Sequence, residues 1–284
     1  MTIEQLIRET LNLLQKNKVE SDRFELKLLL SHILQQEPKA ISTQETLNQE
    51  QIKQFNKMIR QRKKHKPVDK IIGEKGFYKY DFIVNNDVLS PRADTEILVE
   101  SVINLLKNQN NKKILELGTG SGCILLSILS DLPQIKGVGV DISKKALKIA
   151  RANAKKLDIC SKRLKLINLD WFDDNIFIKL PAKFDVIISN PPYIRTKELK
   201  KLEPEVVFYD PQIALDGGKD GLKDYERIIQ IAQQKLKKGG FLFLEAGDIK
   251  QLNKISNIAQ SYGFMHINIL NDLQEHPRCI ILKK

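Results

Sequence analysis

The stretch "KILELGTGSGC", Lys113 to Cys123, gives the clearest indication of the fold, because a short apolar run passes into a glycine-rich turn and then into a helical pattern. The glycines of such a turn let a ligand touch the backbone. The GxGxxG spacing of dinucleotide-binding turns fails here, since Cys123 stands where the third glycine belongs. Glu116 would also repel a pyrophosphate and attract a cationic ligand.

Further short apolar runs follow, and helical patterns separate most of them. After "KILEL" these runs are "KGVGVD", "LKLINLD", "FDVIISN" and "GFLFLEA". The alternation predicts an α/β fold with a doubly wound, mainly parallel sheet. Ligands bind beyond the carboxyl ends of the strands in such folds, so the residues after each run are the candidates for a site.

Asp141 closes "KGVGVD", roughly 20 residues after Gly118, where an acid accepts both hydroxyls of a ribose. Asp141 could instead cap the next helix, a role that Ser143 could fill as well. A ribose-binding acid together with a turn unsuited to phosphate favours S-adenosylmethionine, which carries no phosphate. After the next run, Asp170 could accept an adenine amino group, and Trp171 could stack on the ring, wall the pocket or simply be core.

The stretch "SNPPYI", Ser189 to Ile194, follows the run "FDVIIS". Its prolines cannot continue a sheet and instead fix the main-chain carbonyls. An amide or base amino group is a poor nucleophile because its lone pair is delocalised. The Asn190 side-chain oxygen and the Pro191 carbonyl can accept both N–H hydrogens of such a group, while Tyr193 supplies an aromatic wall and no general base is required.

The N-terminal part is helical by its pattern, since Ile3, Leu6 and Ile7 recur at the spacing of one helix face. Three or four helices are predicted, with Ser21 as one N-cap and Asn48 with Gln51 as a capping box. The basic run "RQRKKHK" ends a helix before Pro67 and is interpreted as a solvated helix end in preference to a nucleic-acid surface. The domains predicted are a helical substrate-binding domain at 1–72, a β-hairpin linker at 73–90 and a catalytic domain at 91–284.

Composition bounds the function further. The formal net charge of +12 is compatible with an acidic partner or with compositional drift. No stretch approaches the ~18 apolar residues of a membrane span, and the first residues do not form a signal peptide. Cys123, Cys160 and Cys279 are too scattered for a disulfide framework or a zinc site, so they are interpreted as reduced packing residues, and no metal is expected.

Together these motifs resemble class I S-adenosylmethionine-dependent amino-methyltransferases, and the whole chain resembles the HemK/PrmC family. "LSPRADTEILVE", from Leu89, is similar to one family signature, and "EPEVVFYDPQIALDGGKDGLKDY", from Glu203, to a second. The family often has an apolar residue where Ser90 stands and a proline where Ala93 stands. The resemblance implies a seven-stranded methyltransferase sheet and methyl transfer to the glutamine side-chain amide in the Gly-Gly-Gln loop of peptide chain release factors.

The resemblance also implies which residues form the site. Arg92 and Glu96 are expected to pair with each other or with the glycine loop at Gly217 to Gly221, or to form a purely structural salt bridge. The cofactor contacts implied are Gly118, Thr119, Gly120, Ser121, Gly122, Asp141, Asp170, Trp171 and Asn190. The glutamine-binding residues implied are Asn190, Pro191, Pro192 and Tyr193, and Asn190, Pro191 and Tyr193 are the catalytic ones.

Three other functions stay open at this point. A DNA adenine N6-methyltransferase uses the same four-residue motif on a flipped base, but the chain has no separate block for target recognition. A ribosomal protein could be the glutamine substrate in place of a release factor. A non-catalytic RNA-binding or scaffolding protein would not need the complete set of motif residues. We expect a cytoplasmic monomer that binds release factors and neither a membrane nor nucleic acid directly.

Overall fold

The computed structural model describes residues 1–180, 183–272 and 274–284 and divides them into two units. One unit contains Met1–Glu74 together with Glu203–Tyr209, and the other contains Lys75–Leu202 and Asp210–Lys284. The helices are α1 (Ile3–Lys16), α2 (Arg23–Leu34), α3 (Gln49–Arg62), α4 (Val68–Ile72), α5 (Glu96–Leu106), α6 (Cys123–Asp131), α7 (Lys144–Lys156), α8 (Ile176–Lys179), α9 (Pro204–Tyr209), α10 (Lys223–Lys235) and α11 (Ile249–Ser261). The strands are β1 (Glu74–Phe77), β2 (Tyr80–Ile83), β3 (Lys113–Leu117), β4 (Lys136–Asp141), β5 (Leu164–Asn168), β6 (Phe184–Ser189), β7 (Leu236–Glu245), β8 (Met265–Asn271) and β9 (Pro277–Lys283).

Side-chain caps fix where the helices of the first unit begin. Asn48 and Gln51 form the predicted capping box at the start of α3, with reciprocal bonds of 2.9 Å. The prediction of Ser21 as the cap of α2 is wrong. Asp22 is the N-cap and accepts from the N–H of Glu25, whereas the Ser21 hydroxyl donates to the Glu25 carboxylate. The carboxylate of Asp22 suits this position because it also complements the helix dipole.

The interpretation of the basic run as a solvated helix end is wrong for Arg62, which is buried. Its side chain is 1% exposed, although its neighbour Arg60 faces solvent. Arg62 Nη2 donates to the carbonyl of Glu20 and lies 3.3 Å from Glu25 Oε2, while its Nη1 lies 2.6 Å from Glu205 Oε1. One buried cation thus joins α3, the start of α2 and α9, which is distant in sequence.

The second unit contains a seven-stranded sheet in the order β5-β4-β3-β6-β7-β9-β8. The five strands from β5 to β7 in this order are parallel, and β9 is antiparallel to both of its neighbours. This confirms the predicted doubly wound, mainly parallel α/β class. Every residue of β6 is buried, as expected for a central strand that helices cover on both faces.

The strand order reverses at β3, because β4 lies on one side of β3 and β6 on the other. Such a switch point opens a crevice beyond the carboxyl ends of the two central strands.

A separate two-stranded sheet, β1 with β2, falls in the segment predicted as a hairpin. Of the cysteines, Cys279 is buried and Cys123 partly buried, whereas Cys160 is exposed and does not pack as predicted. No helix in the described ranges is long and apolar enough to cross a membrane.

We predict that Arg62→Ala lowers the free energy of opening of the helical unit by about 3 kcal/mol, the low end for breaking a buried ion pair, because Glu25 and Glu205 are each about one-third exposed and can regain water. Hydrogen exchange of the α1 to α3 amides measures this quantity. The matched control is Arg60→Ala on the exposed face, which should change it by no more than about 0.5 kcal/mol. Equal effects of the two substitutions would contradict a structural role for the buried guanidinium.

Candidate active site

A cavity of about 510 Å³ lies in the crevice of the second unit, a size within the usual range for a cofactor pocket. The structure brings seven of the predicted site residues to its wall: Gly118, Gly120, Asp141, Asp170, Trp171, Asn190 and Pro192. It does not bring Thr119, Ser121, Gly122, Pro191 or Tyr193 to that wall. The predicted residues that line the cavity lie at or just after the carboxyl ends of β3, β4, β5 and β6.

Asp141 does not cap the following helix, because Ser143 is the N-cap of α7 and accepts from the N–H of Ala146 at 3.1 Å. The carboxylate of Asp141 instead accepts from two backbone N–H groups, those of Gly120 and Ser143, both at 2.8 Å. Burial raises the pKa of Asp141, while these two bonds favour the charged form. Each carboxylate oxygen keeps a further lone pair, so the side chain can still accept ribose hydroxyls.

Gly118 needs to be a glycine for two reasons. Its φ of +80° lies in the left-handed region, and a Cβ would come within 3.3 Å of the Trp171 ring. Trp171 is held from both ends, since its indole N–H donates to Asp224 Oδ1 at 3.0 Å and its carbonyl accepts from Arg227 Nε at 2.7 Å. The indole therefore lies directly over the glycine turn and forms a rigid wall of the cavity.

Charge on the cavity wall is mainly negative. The charged residues that line it are Asp87, Asp141, Asp170, Asp216, Asp224 and a single cation, Lys223. Glu116, which the sequence suggested as the attractive charge, is buried, and burial raises its pKa well above the usual range. The wall thus suits a cationic ligand and disfavours a phosphate, but through other carboxylates. Thr119 and Ser121 are also buried, and the Thr119 hydroxyl lowers the pKa of Glu116.

Asn190 lies just beyond the end of β6, and its side-chain nitrogen donates to Thr95 Oγ1 at 3.3 Å. This bond uses one of the two N–H groups of the amide and leaves the Asn190 oxygen to accept hydrogens from a ligand. Pro191 and Pro192 are buried, and Pro192 alone of the two reaches the cavity wall. Asn190 and Pro192 thus lie together at the wall of the cavity, directly after the end of β6.

Tyr193 is fixed through its main chain. Gln251 Nε2 donates to the carbonyls of Tyr193 at 3.1 Å and of Gly221 at 2.7 Å, and Gln251 Oε1 accepts from the N–H of Gly247 at 2.8 Å. A Cβ on Gly221 would lie 2.5 Å from the Tyr193 carbonyl oxygen, so only glycine permits this approach. Burial raises the pKa of the Tyr193 hydroxyl to about 12, which rules it out as a base near neutral pH.

Sequence reasoning missed two loops of the cavity wall. Residues 87–89 follow the two-stranded sheet, and residues 211–214 follow α9. Neither loop follows a strand of the parallel sheet, so the strand-end rule could not find them; the second signature, which contains residues 211–214, was the available signal. Among the described residues, Arg92 and Glu96 pair neither with each other nor with the glycine loop. Arg92 forms a salt bridge of 2.9 Å with Asp210, in agreement with the alternative of a structural salt bridge, and Glu96 accepts from the N–H of Tyr78.

No group of side chains in the described ranges could hold a metal ion. The cavity fits S-adenosylmethionine by its size, its acidic wall and the close backbone approach that the glycine turn permits. Asp141 would hold the ribose, and Trp171 together with Asp170 would face the adenine.

Comparisons with known proteins agree with this geometry. The family model of the PrmC N-terminal domain matches residues 5–73, and that of a methyltransferase domain matches residues 108–276. The release factor glutamine methyltransferase of Buchnera aphidicola is 40% identical over 261 residues, 91% of this chain and 91% of that protein. The bifunctional methyltransferase of Rickettsia prowazekii is 38% identical over 98% of this chain, which spans only 57% of that relative. A solved methyltransferase from Pyrococcus furiosus has a TM-score of 0.51 at 17% identity, covering 73% of this chain and 90% of that one, and shares the fold.

Fold, cavity and family model together define an α/β methyltransferase. The chain belongs to the HemK/PrmC family, as its similarity to the release factor glutamine methyltransferases over most of both chains shows. The predictions of this family, of a methyltransferase and of S-adenosylmethionine as the cofactor are confirmed at the level of the family.

We predict that Asp141→Ala weakens binding of S-adenosylmethionine by about 2 kcal/mol or more, since the ribose hydroxyls lose a charged acceptor. Isothermal titration calorimetry measures the change. Ser143→Ala is the control, because it removes the helix cap and keeps the N–H that Asp141 accepts. Equal losses in the two variants would mean that Asp141 acts through the helix rather than on the ligand.

Trp171 is the only tryptophan of the chain and lines the cavity, so its fluorescence reports on this site alone. We expect S-adenosylhomocysteine to change the emission in a saturable way, with the dissociation constant that calorimetry gives. Asp224→Ala removes the acceptor of the indole N–H and should shift the emission of the free protein. Calorimetric binding without any change in emission would show that the indole does not face the ligand.

Proposed function

We propose that this chain transfers the methyl group of S-adenosylmethionine to the side-chain amide nitrogen of the glutamine in the Gly-Gly-Gln loop of peptide chain release factors. Family membership and the chemistry of the Asn190 site support this proposal. The chain spans 57% of the Rickettsia prowazekii relative, so the proposal concerns this chain and not the whole activity of that relative.

The single observation that carries the proposal is the orientation of Asn190. One N–H of its nitrogen donates to Thr95, and this bond leaves the side-chain oxygen as an acceptor at the edge of the cavity. A glutamine amide nitrogen has two hydrogens and a lone pair delocalised into its carbonyl. Asn190 Oδ1 and the Pro191 carbonyl would accept those hydrogens, direct the lone pair and stabilise the positive charge that develops on nitrogen.

Bound in the cavity, S-adenosylmethionine supplies an electrophilic methyl group on a cationic sulfur. The residues of the chain then contribute position and electrostatics, because the attacking amide is neutral and its proton leaves after transfer. Tyr193, with a pKa of about 12, is no base for this reaction and serves as a wall that packs against the core. The acidic cavity wall favours the cationic donor over its neutral product.

The helical unit is proposed to hold the protein substrate, since every residue that lines the cavity belongs to the other unit. The domain division at 72 and 90 and the roles of the individual site residues stay predictions. A monomeric state and the lack of direct nucleic-acid contact also stay predictions, which sedimentation and an RNA-binding assay would check. A cytoplasmic location would follow from the substrate, because release factors act on ribosomes.

The test of the proposal is label transfer from S-adenosylmethionine carrying a labelled methyl group. The acceptors are a release factor, the same factor with its loop glutamine replaced by alanine, a ribosomal protein fraction and duplex DNA. We expect label on the intact release factor and none on its alanine variant. Label on DNA or on a ribosomal protein alone would refute the proposal in favour of the corresponding alternative.

We predict that Asn190→Ala lowers single-turnover transfer by about 10² to 10³, by analogy with the loss of one preorganised oxyanion-hole donor. Affinity for the cofactor should change much less, because the acceptor matters most when charge develops on nitrogen. Asn190→Asp should keep part of the activity, since a carboxylate also presents an acceptor oxygen.

Tyr193→Phe is the control within the same motif and should transfer at close to the wild-type rate, because only its ring and main chain are used. Wild-type rates in Asn190→Ala would show that this side chain does not position the nucleophile.

A further inference from the structure

The buried carboxylate of Glu245 lies near Asn190 and has no role in the reaction described so far. Glu245 is the last residue of β7, one position beyond Leu244, which pairs with Ser189 at the end of β6. Glu245 is therefore level with Asn190 on the neighbouring strand. Its side chain is 2% exposed, and within the described part of the chain its Oε2 has no hydrogen-bond partner. Burial of a charged group is costly unless the group is paired and hydrogen-bonded, so this unpartnered oxygen requires an explanation.

Thr95 is a neighbour of both side chains and is itself buried. Its hydroxyl oxygen accepts from Asn190 Nδ2 at 3.3 Å. Burial raises the pKa of Glu245 to about 7, and the hydroxyl of Thr95 and the amide of Asn190 lower it through hydrogen bonding. A hydroxyl has a single hydrogen to donate, so Thr95, which accepts from Asn190, has that hydrogen free for the carboxylate.

We propose that Glu245 acts through Thr95 as a positioning residue for Asn190, forcing the amide to turn its nitrogen inward and its oxygen toward the cavity. The inference deepens the proposed function and rests on it, because the orientation matters only if Asn190 accepts hydrogens from the substrate. The direction follows from elementary donor and acceptor rules. An ionised carboxylate can only accept, so Thr95 must donate to it and must accept from Asn190.

Without this constraint the amide has no steric reason to choose one orientation, since its oxygen and nitrogen are almost equal in size. A flipped Asn190 would present two N–H donors to the N–H hydrogens of the substrate amide and leave them unpaired. The buried carboxylate therefore selects the one orientation in which the side chain stabilises the transition state.

Protonation of Glu245 removes this selection, because a carboxylic acid can itself donate to Thr95. The Thr95 hydroxyl could then donate to the oxygen of a flipped Asn190 amide. With a pKa of about 7, Glu245 is mainly charged above neutral pH and mainly neutral below it. Transfer should therefore fall as the pH drops through about 7. The titratable and charged groups that face Glu245 from the surrounding elements are Asp94, Arg278, Tyr193, Tyr225, Cys279 and Cys123.

The tyrosines, cysteines and arginine among these neighbours do not titrate near pH 7. Burial raises the pKa of Tyr193 and of Cys123 to about 12, and the pKa values of Tyr225 and Cys279 are raised well above their usual range. Arg278, whose pKa is also raised, stays charged in a cluster with Asp94 and Asp272. An acid limb near pH 7 in the rate of transfer matches the pKa of Glu245. Its loss in Glu245→Gln would distinguish Glu245 from Glu116 and Asp141, whose pKa values burial also raises.

The test measures kcat, KM for the release factor and S-adenosylhomocysteine affinity across pH in the full chain, for the wild type and for Glu245→Gln, Thr95→Val and Thr95→Ser. Glu245→Gln keeps the shape and removes the charge, and Thr95→Ser keeps the hydroxyl that Thr95→Val removes. We expect kcat to fall about 10- to 100-fold in Glu245→Gln and Thr95→Val, the usual cost of losing an outer partner of a functional group. KM and cofactor affinity should change little, Thr95→Ser should stay close to the wild type, and the acid limb should vanish in Glu245→Gln.

Transfer by Glu245→Gln with the wild-type kcat and acid limb would overturn the inference and leave the proposed function intact. If Glu245→Gln fails to fold, equal kcat values in Thr95→Val and Thr95→Ser overturn it instead. Absence of transfer by the wild-type chain would overturn the proposed function and this inference together.

Discussion

The parallel pairing of β3 with β6 is the constraint on which the rest of the site depends. Leu117 pairs with Ser189, and the Ser189 hydroxyl donates to the Leu117 carbonyl at 2.7 Å, so both strands end at the same level. The glycine turn that begins at Gly118 therefore faces Asn190 across the crevice. A Cβ on Gly118 would come within 4.0 Å of the Asn190 carbonyl oxygen. One backbone register thus places the cofactor turn against the group that is proposed to hold the substrate amide.

Backbone hydrogen bonds next to this register fix the loop that is proposed to hold the substrate. Ile194 N–H donates to the Leu215 carbonyl, and Gly217 N–H donates to the Ile194 carbonyl. Gln251 adds a side-chain clamp from α11. Such fixation would suit the proposed role of the loop, because acceptors that need no reorganisation stabilise developing charge most strongly. The prolines that precede Ile194 and the glycines from Gly217 to Gly221 permit the close approach that these bonds require.

Electrostatics within the second unit differ from those of the chain as a whole. The net charge of +12 describes the whole sequence, whereas the cavity wall carries mainly carboxylates. A cationic cofactor responds to the local field, because surface charges more than about 10 Å away are largely screened at ordinary ionic strength. Overall charge was for this reason a poor guide to the ligand, and the residues at the strand ends were a better one.

The α/β class, the glycine turn, Asp141 at the end of β4 and the Asn190 motif could all be predicted from the sequence, because periodicity and strand-end position depend on local pattern. It also identified the capping box of α3. Other features became visible in the folded chain alone: Arg62 is buried against Glu205, Asp87 lines the cavity, and Glu245 lies level with Asn190 on the neighbouring strand. Those contacts join residues far apart in the chain, and a sequence pattern carries no signal for a partner on another element. The acidity of the cavity is likewise a property of several strand ends and loops together, which only folding brings to one place.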